Sequence, residues 1–513
     1  MSRIRIFFSS ALIALLLLFS ACSSQPEVAR PRDLDNAHDW GVYRGDQKAN
    51  QFSSLDQINS DNVSQLEPVW TVNTGDASPG SAMQSNPIMI DGRLLLVSPA
   101  GRLLCLDGAT GKEIWNYDPR TAAQKEGNYA IISRGATYWS DGSERRVFYS
   151  VESYIYAVDF ETGQLVESFG DSGRIDFRND IGVDPEKVDT NMTSPPAVFE
   201  NFLILGVRVG EGFGSSPGPI RAYDTVTGEF RWIFHTIPRE GEFGYDTWEW
   251  VEGESYGGAN PWTGLTIDEE RGWVFAATGS PTYDFYGANR KGMNLFGNCV
   301  LALDARTGER QWHFQTLHHD IWDMDNAAAP ILVDLTVDGK PRDAVVQLTK
   351  MGYMFVLDRE TGEPVFEVEE VPVPASDIPG EEAWPTQPMP VKPPPLVRQG
   401  FTEADLNDLT PEYHAKAKAV FEEFGPAPMF QPFSTKGHVL LPGMSGGMEY
   451  HGGSFDATTG MFYVNVNEST NLVRLEAVTT VEDTTGLTQF EKGKLLYRLN
   501  CSPCICSMDI FGS

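Results

Sequence analysis

Residues 103–115 read Leu-Leu-Cys-Leu-Asp-Gly-Ala-Thr-Gly-Lys-Glu-Ile-Trp. Four apolar residues lead into Asp107-Gly108-Ala109-Thr110-Gly111, and Trp115 follows. This spells strand, tight turn, strand. The Asp and Thr side chains hold the turn through local hydrogen bonds, and Gly111 takes the φ > 0 position. The pattern Asp-x-x-Thr-Gly begins again at Asp159, Asp224, Asp304, Asp358 and Asp456. Trp232 and Trp312 repeat the place of Trp115, where an indole packs between neighbouring units. A period near 50 residues with variable insertions is the signature of propeller blades carrying long loops on one face. Further strands are expected at 93–97, 147–151, 202–207, 273–278 and 461–466. The fold class is therefore all-β.

Composition agrees. The chain has 513 residues with 49 Gly and 33 Pro, which suits many turns. Apolar residues make up 41% and aromatics 11%, too rich for global disorder. With 39 Lys+Arg against 71 Asp+Glu, the net charge is −32. This argues against a nucleic-acid binder, because phosphate binding needs clustered Lys and Arg. It equally argues against docking on anionic lipid through a basic patch.

One region breaks the repeat. Residues 371–395 are dense in proline and are expected as a long extended loop. After them, Thr410-Pro411 reads as an N-cap with proline at the first helical position. Tyr413, Ala417, Val420, Phe421 and Phe424 fall on one helical face, and Gly425-Pro426 ends it. This predicts a helical insertion near 402–425. Cys105 and Cys299 lie in apolar strand-like runs and read as buried thiols rather than a disulfide.

The amino terminus looks like an address. Arg3 and Arg5 precede an apolar run, 11–19, that is short for a membrane span and ends at Ser20-Ala21-Cys22. It resembles a bacterial lipoprotein signal. That implies a signal peptide over 1–22 and a protein lipid-anchored through Cys22 on the periplasmic face of a bacterial membrane.

The repeats and two longer runs carry a family likeness. Trp40-Gly41-x-Tyr43-x-Gly45-Asp46, the stretch 52–70 and the turn motifs resemble the quinoprotein alcohol and sugar dehydrogenases. These bind pyrroloquinoline quinone (PQQ) on an eight-bladed β-propeller. The most specific run is His318-His319-Asp320-Ile321-Trp322-Asp323-Met324-Asp325. It is followed by Thr349-Lys350-x-Gly352-Tyr353-x-x-Val356-Leu357-Asp358-Arg359. Both look like the membrane glucose dehydrogenase branch, which also covers quinate and polyol enzymes. The resemblance implies a PQQ-binding propeller over 23–475.

Oxidising an alcohol by hydride abstraction needs a base for the hydroxyl proton, an electrophilic acceptor and stabilisation of charge on that acceptor. By resemblance, Asp323 is the base and Lys350 the cation beside the quinone carbonyl. Arg134 would grip a PQQ carboxylate, a task suited to a planar guanidinium. Trp262 would stack on the flat cofactor. Gln84, where many relatives carry Glu, and Thr193 would add polar contacts. The family's Ca²⁺ would sit near Glu211 and Asp323, and Asp325 offers a third carboxylate. The usual Asn ligand is replaced, since the run reads Thr278-Gly279-Ser280. Zinc on His318-His319 is disfavoured, because adjacent residues of a strand face opposite ways. A nicotinamide enzyme has no support without Gly-x-Gly-x-x-Gly.

Near the carboxyl end, Gly493-Lys494-x-x-Tyr497 before Cys501-Ser502-Pro503-Cys504 resembles the opening of a cytochrome c domain. A haem ligand His is expected next, but position 505 is Ile. Segment 476–513 thus reads as a truncated cytochrome c-like piece without haem c, and the propeller as incomplete at its C-terminus. The expected partners are a small alcohol, polyol or sugar, an electron acceptor (cytochrome c or ubiquinone) and a membrane lipid. The alternatives are a non-catalytic propeller lipoprotein of the outer membrane or an inactive fragment. The first needs the turn motifs but has no use for Arg134, Trp262, Asp323 and Lys350 together.

Overall fold

A computed structural model of the chain describes residues 40–476. The signal-like terminus with Cys22, and the segment bearing Cys501 and Cys504, lie outside the described residues. Among those described, four antiparallel sheets have four strands each, connected in sequence order. The first comprises Ile88–Ile90, Arg93–Val97, Leu103–Asp107 and Glu113–Tyr117. The second comprises Thr137–Ser140, Arg145–Val151, Tyr154–Asp159 and Arg174–Asp176. Ala197–Phe199, Phe202–Leu205, Ile220–Asp224 and Phe230–Phe234 form the third. The fourth runs Leu265–Asp268, Trp273–Ala277, Cys299–Asp304 and Arg310–Gln315. A fifth sheet has three strands, Ile331–Val337, Lys340–Leu348 and Met354–Asp358. The first strands of the second to fifth sheets neighbour one another in turn, which makes them the inner strands of the propeller.

The Asp-x-x-Thr-Gly turns form as read. Asp107 Oδ1 accepts from the Thr110 backbone N–H at 2.8 Å and from its hydroxyl at 2.7 Å. Gly111 has φ +69°. Asp159 and Asp358 hold Thr162 and Thr361 in the same way.

The tryptophans dock the blades. Opposite the third strand, register skips one residue at Cys105/Leu106, Ala222/Tyr223 and Ala302/Leu303. The same bulge, repeated three times, re-aims the following indole. Trp115 Nε1 donates to Phe160 O at 3.0 Å, Trp232 Nε1 to Ala305 O at 3.1 Å and Trp312 Nε1 to Arg359 O at 2.9 Å. Each indole thereby lies over the turn glycine of a later sheet. A Cβ on Gly163 would sit 2.6 Å from the Trp115 ring, and one on Gly308 2.5 Å from Trp232. Glycine at this position thus answers two demands at once, positive φ and close approach. Burying each indole contributes roughly 1.5–3 kcal/mol.

The proline-rich stretch is more ordered than a loop. Val368–Pro372 and Thr386–Pro390 pair as a two-stranded ribbon, with Val371 opposite Gln387. Prolines are tolerated there because a two-stranded ribbon consists of edges. The helix Pro411–Phe424 forms, with Thr410 Oγ1 accepting from Tyr413 N–H at 3.2 Å. Its apolar face is only half-buried, so it lies on the surface. Cys105 and Cys299 are buried free thiols. Among the described residues, no helix is long and apolar enough to cross a membrane.

Candidate active site

The propeller places chemistry in its lead-in segments, the few residues before each inner strand. Gln84 precedes Ile88–Ile90, Arg134 precedes Thr137–Ser140 and Thr193 precedes Ala197–Phe199. Trp262 precedes Leu265–Asp268, and Asp323 and Asp325 precede Ile331–Val337. The segments are tied side by side. Asn86 N–H donates to Arg134 O at 2.9 Å, and Arg134 N–H to Thr193 O at 2.8 Å. Lys350 lies in the tight turn between the second and third strands of the fifth sheet. Its N–H donates to Asp325 O at 3.1 Å.

The segments bearing Trp262, Asp323 and Asp325, with the Lys350 turn and other connections, line a cavity of about 420 Å³, a size suited to a small-molecule site. Trp262, Asp284, Asp323, Asp325, Lys350 and Glu449 are among the residues lining it. Lys350 Nζ stands 2.8 Å from Asp323 Oδ1 and 3.4 Å from Asp325 Oδ2. Asp325 is further held by Trp262 Nε1 at 3.0 Å and by Ser280 N–H at 2.6 Å. Asp323 occupies the left-handed region, with φ +57°.

One lysine cannot equally satisfy this many carboxylates, and their acidities diverge. Burial opposes ionisation of Asp325, but Lys350, Ser280 and Trp262 outweigh it and hold it below the usual range. Burial raises Asp323 well above that range, with Lys350 only partly offsetting it. Burial also works against the Lys350 ammonium, but Asp323 and Asp325 prevail and keep it charged. Asp284 is raised well above its ordinary value by burial and then by Asp323 and Asp325. Its Oδ1 is buried without a hydrogen-bond partner.

Beside the cavity, Arg134 is buried. Its Nη1 donates to Thr193 Oγ1 at 2.8 Å and Ser194 Oγ at 3.2 Å. The guanidinium lies 3.9 Å from the Tyr450 ring centroid and 5.2 Å from that of Trp262. Its Nε has no hydrogen-bond partner.

The chain matches the family described as PQQ, glucose/ethanol/alcohol dehydrogenase, β-propeller domain, over residues 40–497. It belongs to that family. The quinate/shikimate dehydrogenase (quinone) of Acinetobacter baylyi is 30% identical over 83% of this chain and 56% of its own length. The glycerol dehydrogenase large subunit of Gluconobacter oxydans is 31% identical over 84% and 60%. For the quinoprotein glucose dehydrogenase of Escherichia coli the figures are 31%, 82% and 54%. The chain thus spans little more than half the length of these relatives. Among solved structures, the quinohemoprotein alcohol dehydrogenase ADHIIG from Pseudomonas putida HK5 shares the fold with a TM-score of 0.64. It is 24% identical and covers 85% of this chain and 58% of that one.

The PQQ-family propeller brings most of the expected residues together. Trp262, Asp323, Lys350 and Glu211 line one cavity, with Arg134 and Thr193 joined behind Trp262. Arg134 and Thr193 themselves do not line the cavity, and two further placements differ from expectation. Gln84 does not line the cavity; its lead-in segment runs beside Arg134, and its buried Oε1 has no partner. Glu211 reaches the wall but is more than half exposed and pairs with Arg208 at 3.1 Å. A surface partner already serves it, which weakens it as a metal ligand. His318 and His319 diverge, although they lie in a bend after Arg310–Gln315 rather than on a strand, with His319 at φ +45°. His318 faces Gln315 and Glu370, whereas His319 faces Asn294 and Glu381.

Sequence reading missed Asp284, Glu449 and Tyr450. Asp284 follows the same strand as Ser280, Trp273–Ala277, and that shared connection was the available signal. The donor set suits a hard cation completed by cofactor oxygens. Carboxylates outnumber cations, and Asp284 keeps an unpartnered buried oxygen. Among the described residues no three acidic or histidine side chains already converge on one point.

Proposed function

We propose that this protein oxidises an alcohol, polyol or sugar hydroxyl with PQQ. The reading extends to electrons passed to a cytochrome or quinone, and to a lipid anchor at Cys22 on the periplasmic face. The observation that carries the chemistry is the Asp323–Lys350 pair at 2.8 Å on a cavity walled by Trp262. When bound, PQQ supplies an electrophilic carbonyl that accepts hydride, and Ca²⁺ supplies Lewis acidity.

The chain's own residues supply the rest. Trp262 offers a flat face and is fixed by its hydrogen bond to Asp325. Arg134, buried with a free Nε, presents a cation to a cofactor carboxylate. Asp323 takes the proton of the substrate hydroxyl. Burial raises its basicity well above that of an ordinary carboxylate, which suits a general base. Lys350 keeps its charge in this site and stabilises negative charge developing beside it. Asp284 and Asp323 are the carboxylates that would hold the cation. Because the base must be ionised, turnover should rise as pH rises through the elevated Asp323 value and fall away below it.

The test is reconstitution with PQQ and Ca²⁺, followed by turnover of glycerol, D-glucose and quinate with an artificial electron acceptor. PQQ-dependent turnover of at least one is expected. A folded protein that does not bind PQQ would instead favour a non-catalytic propeller. PQQ binding without turnover of any hydroxyl substrate would contradict the proposed activity.

A further inference from the structure

Asp323 works only if its carboxylate is presented to the cavity, and its backbone is in a conformation that L side chains disfavour. For a non-glycine residue the left-handed region costs about 1 kcal/mol or more. Something must hold it there. Trp322 and Met324 flank Asp323, and both of their amides donate to one side chain. Trp322 N–H reaches Asp320 Oδ1 at 2.8 Å, and Met324 N–H reaches Asp320 Oδ2 at 2.9 Å. The Asp320 carboxylate therefore staples the loop on both sides of Asp323 and arches that residue between the two bonds.

The staple is itself fixed. Asp320 is only 1% exposed. Its Oδ2 also accepts from Asn298 Nδ2 at 2.9 Å and from the Ser280 hydroxyl. Asn298 Nδ2 further reaches Met324 O at 3.1 Å, so it holds the same loop. The Ser280 hydroxyl lies 3.0 Å from Asp325 Oδ1, so the network extends to the second carboxylate beside Lys350. Arg290, fully buried, donates to the Asp320 carbonyl. Trp322 is anchored from its far side, with Nε1 donating to Gln431 O at 2.8 Å. Both Asp320 oxygens are thus in use, and Asp320 does not line the cavity.

We infer that Asp320 is the positioning residue of the reaction: its carboxylate sets the loop that aims Asp323 at the substrate hydroxyl and aligns Asp325 with Lys350. This rests on the dehydrogenase reading above. Asp320→Asn keeps the size but turns one acceptor into a donor that faces backbone N–H groups. A displacement of about 1 Å in a reacting group can cost 10²-fold in rate.

The experiment compares wild type with Asp320→Asn, each as the full chain reconstituted with PQQ and Ca²⁺ and assayed on glycerol and D-glucose. The expected result is a kcat lower by about 10²-fold, with KM and PQQ affinity within threefold. In parallel, amide exchange at Trp322 and Met324 should accelerate, while the turn at 304–308 exchanges as in wild type. Should Asp320→Asn fail to fold, Asn298→Ala removes one donor to the same carboxylate and leaves its charge. It should lower kcat several-fold at unchanged KM. A folded Asp320→Asn with kcat within twofold of wild type would overturn the inference. So would a loss fully accounted for by weaker PQQ binding, or unaltered exchange at Trp322 and Met324. An Asn298→Ala variant changed only in melting temperature counts against it as well. If wild type itself shows no PQQ-dependent turnover, the dehydrogenase reading fails, and the exchange data still decide whether Asp320 sets the loop.

Discussion

The outer turns and the inner lead-in segments use the same residue, aspartate, to opposite ends. In a turn such as Asp224, the carboxylate takes backbone N–H bonds from Val226 at 2.8 Å and Thr227 at 2.7 Å, and Arg231 pairs with it. Burial opposes its ionisation, but these partners prevail and hold it below the usual carboxylate range. Every partner comes from within a few residues. Around the cavity, Asp323 from a lead-in segment and Asp284 from the connection after Trp273–Ala277 are gathered from separate places and are undersupplied with donors. Both are pushed upward by burial. A satisfied carboxylate builds the fold; an unsatisfied one is available to take a proton or a cation. The difference lies in the local supply of donors.

The largest test of this contrast is Asp323→Asn. It should cut kcat about 10³-fold, as loss of a general base does, and lower Ca²⁺ affinity as well because Asp323 is also placed to hold the cation, so turnover is compared at saturating Ca²⁺ and PQQ. Turnover beside a fluorescence titration reads this out, and full activity in the variant would remove Asp323 from the mechanism. Next comes Gly308→Ala, which sets a Cβ 2.5 Å from Trp232 at φ +74°. It should cost about 3 kcal/mol of stability, measured by urea denaturation, with normal kcat per folded molecule.

Asp224→Ala should cost about 2 kcal/mol at neutral pH and leave catalysis unchanged. The folded-state value of Asp224 is depressed. Its stabilisation is therefore fully present above the unfolded value near about 4 and is lost as pH falls through the folded value. Denaturation curves of variant and wild type should converge in acid. The smallest effect has the opposite sign. Asp284→Asn removes an uncompensated buried carboxylate, so the apo protein should gain about 1 kcal/mol while Ca²⁺ affinity falls about tenfold. Calorimetry with and without Ca²⁺ and PQQ checks both halves.

The outer half of this contrast was legible in the sequence because it is local. Asp107, Thr110 and Gly111 interact across four residues, and the bulge that aims Trp115 lies a few positions on. The cavity was legible only where a long motif carried it, as at Asp323 and Lys350. Asp284, Glu449 and Tyr450 join the site through contacts between distant connections, and no short spacing announces them. The ribbon within 368–390 is hidden from the sequence for the same reason. Its pairing of Val371 with Gln387 is a cross-strand fact, and proline content conceals it. Asp320 lay inside the most specific motif, yet its task emerges only from the amides that end on it.

The most direct test of the central claim is a PQQ titration in the presence of Ca²⁺, followed by tryptophan fluorescence, on wild type and Trp262→Ala. If the lead-in segments build the cofactor site, wild type should show saturable, Ca²⁺-dependent quenching, and Trp262→Ala should bind at least about tenfold more weakly. Absence of quenching by PQQ in a folded wild-type protein, or equal affinity in the two, would contradict the account.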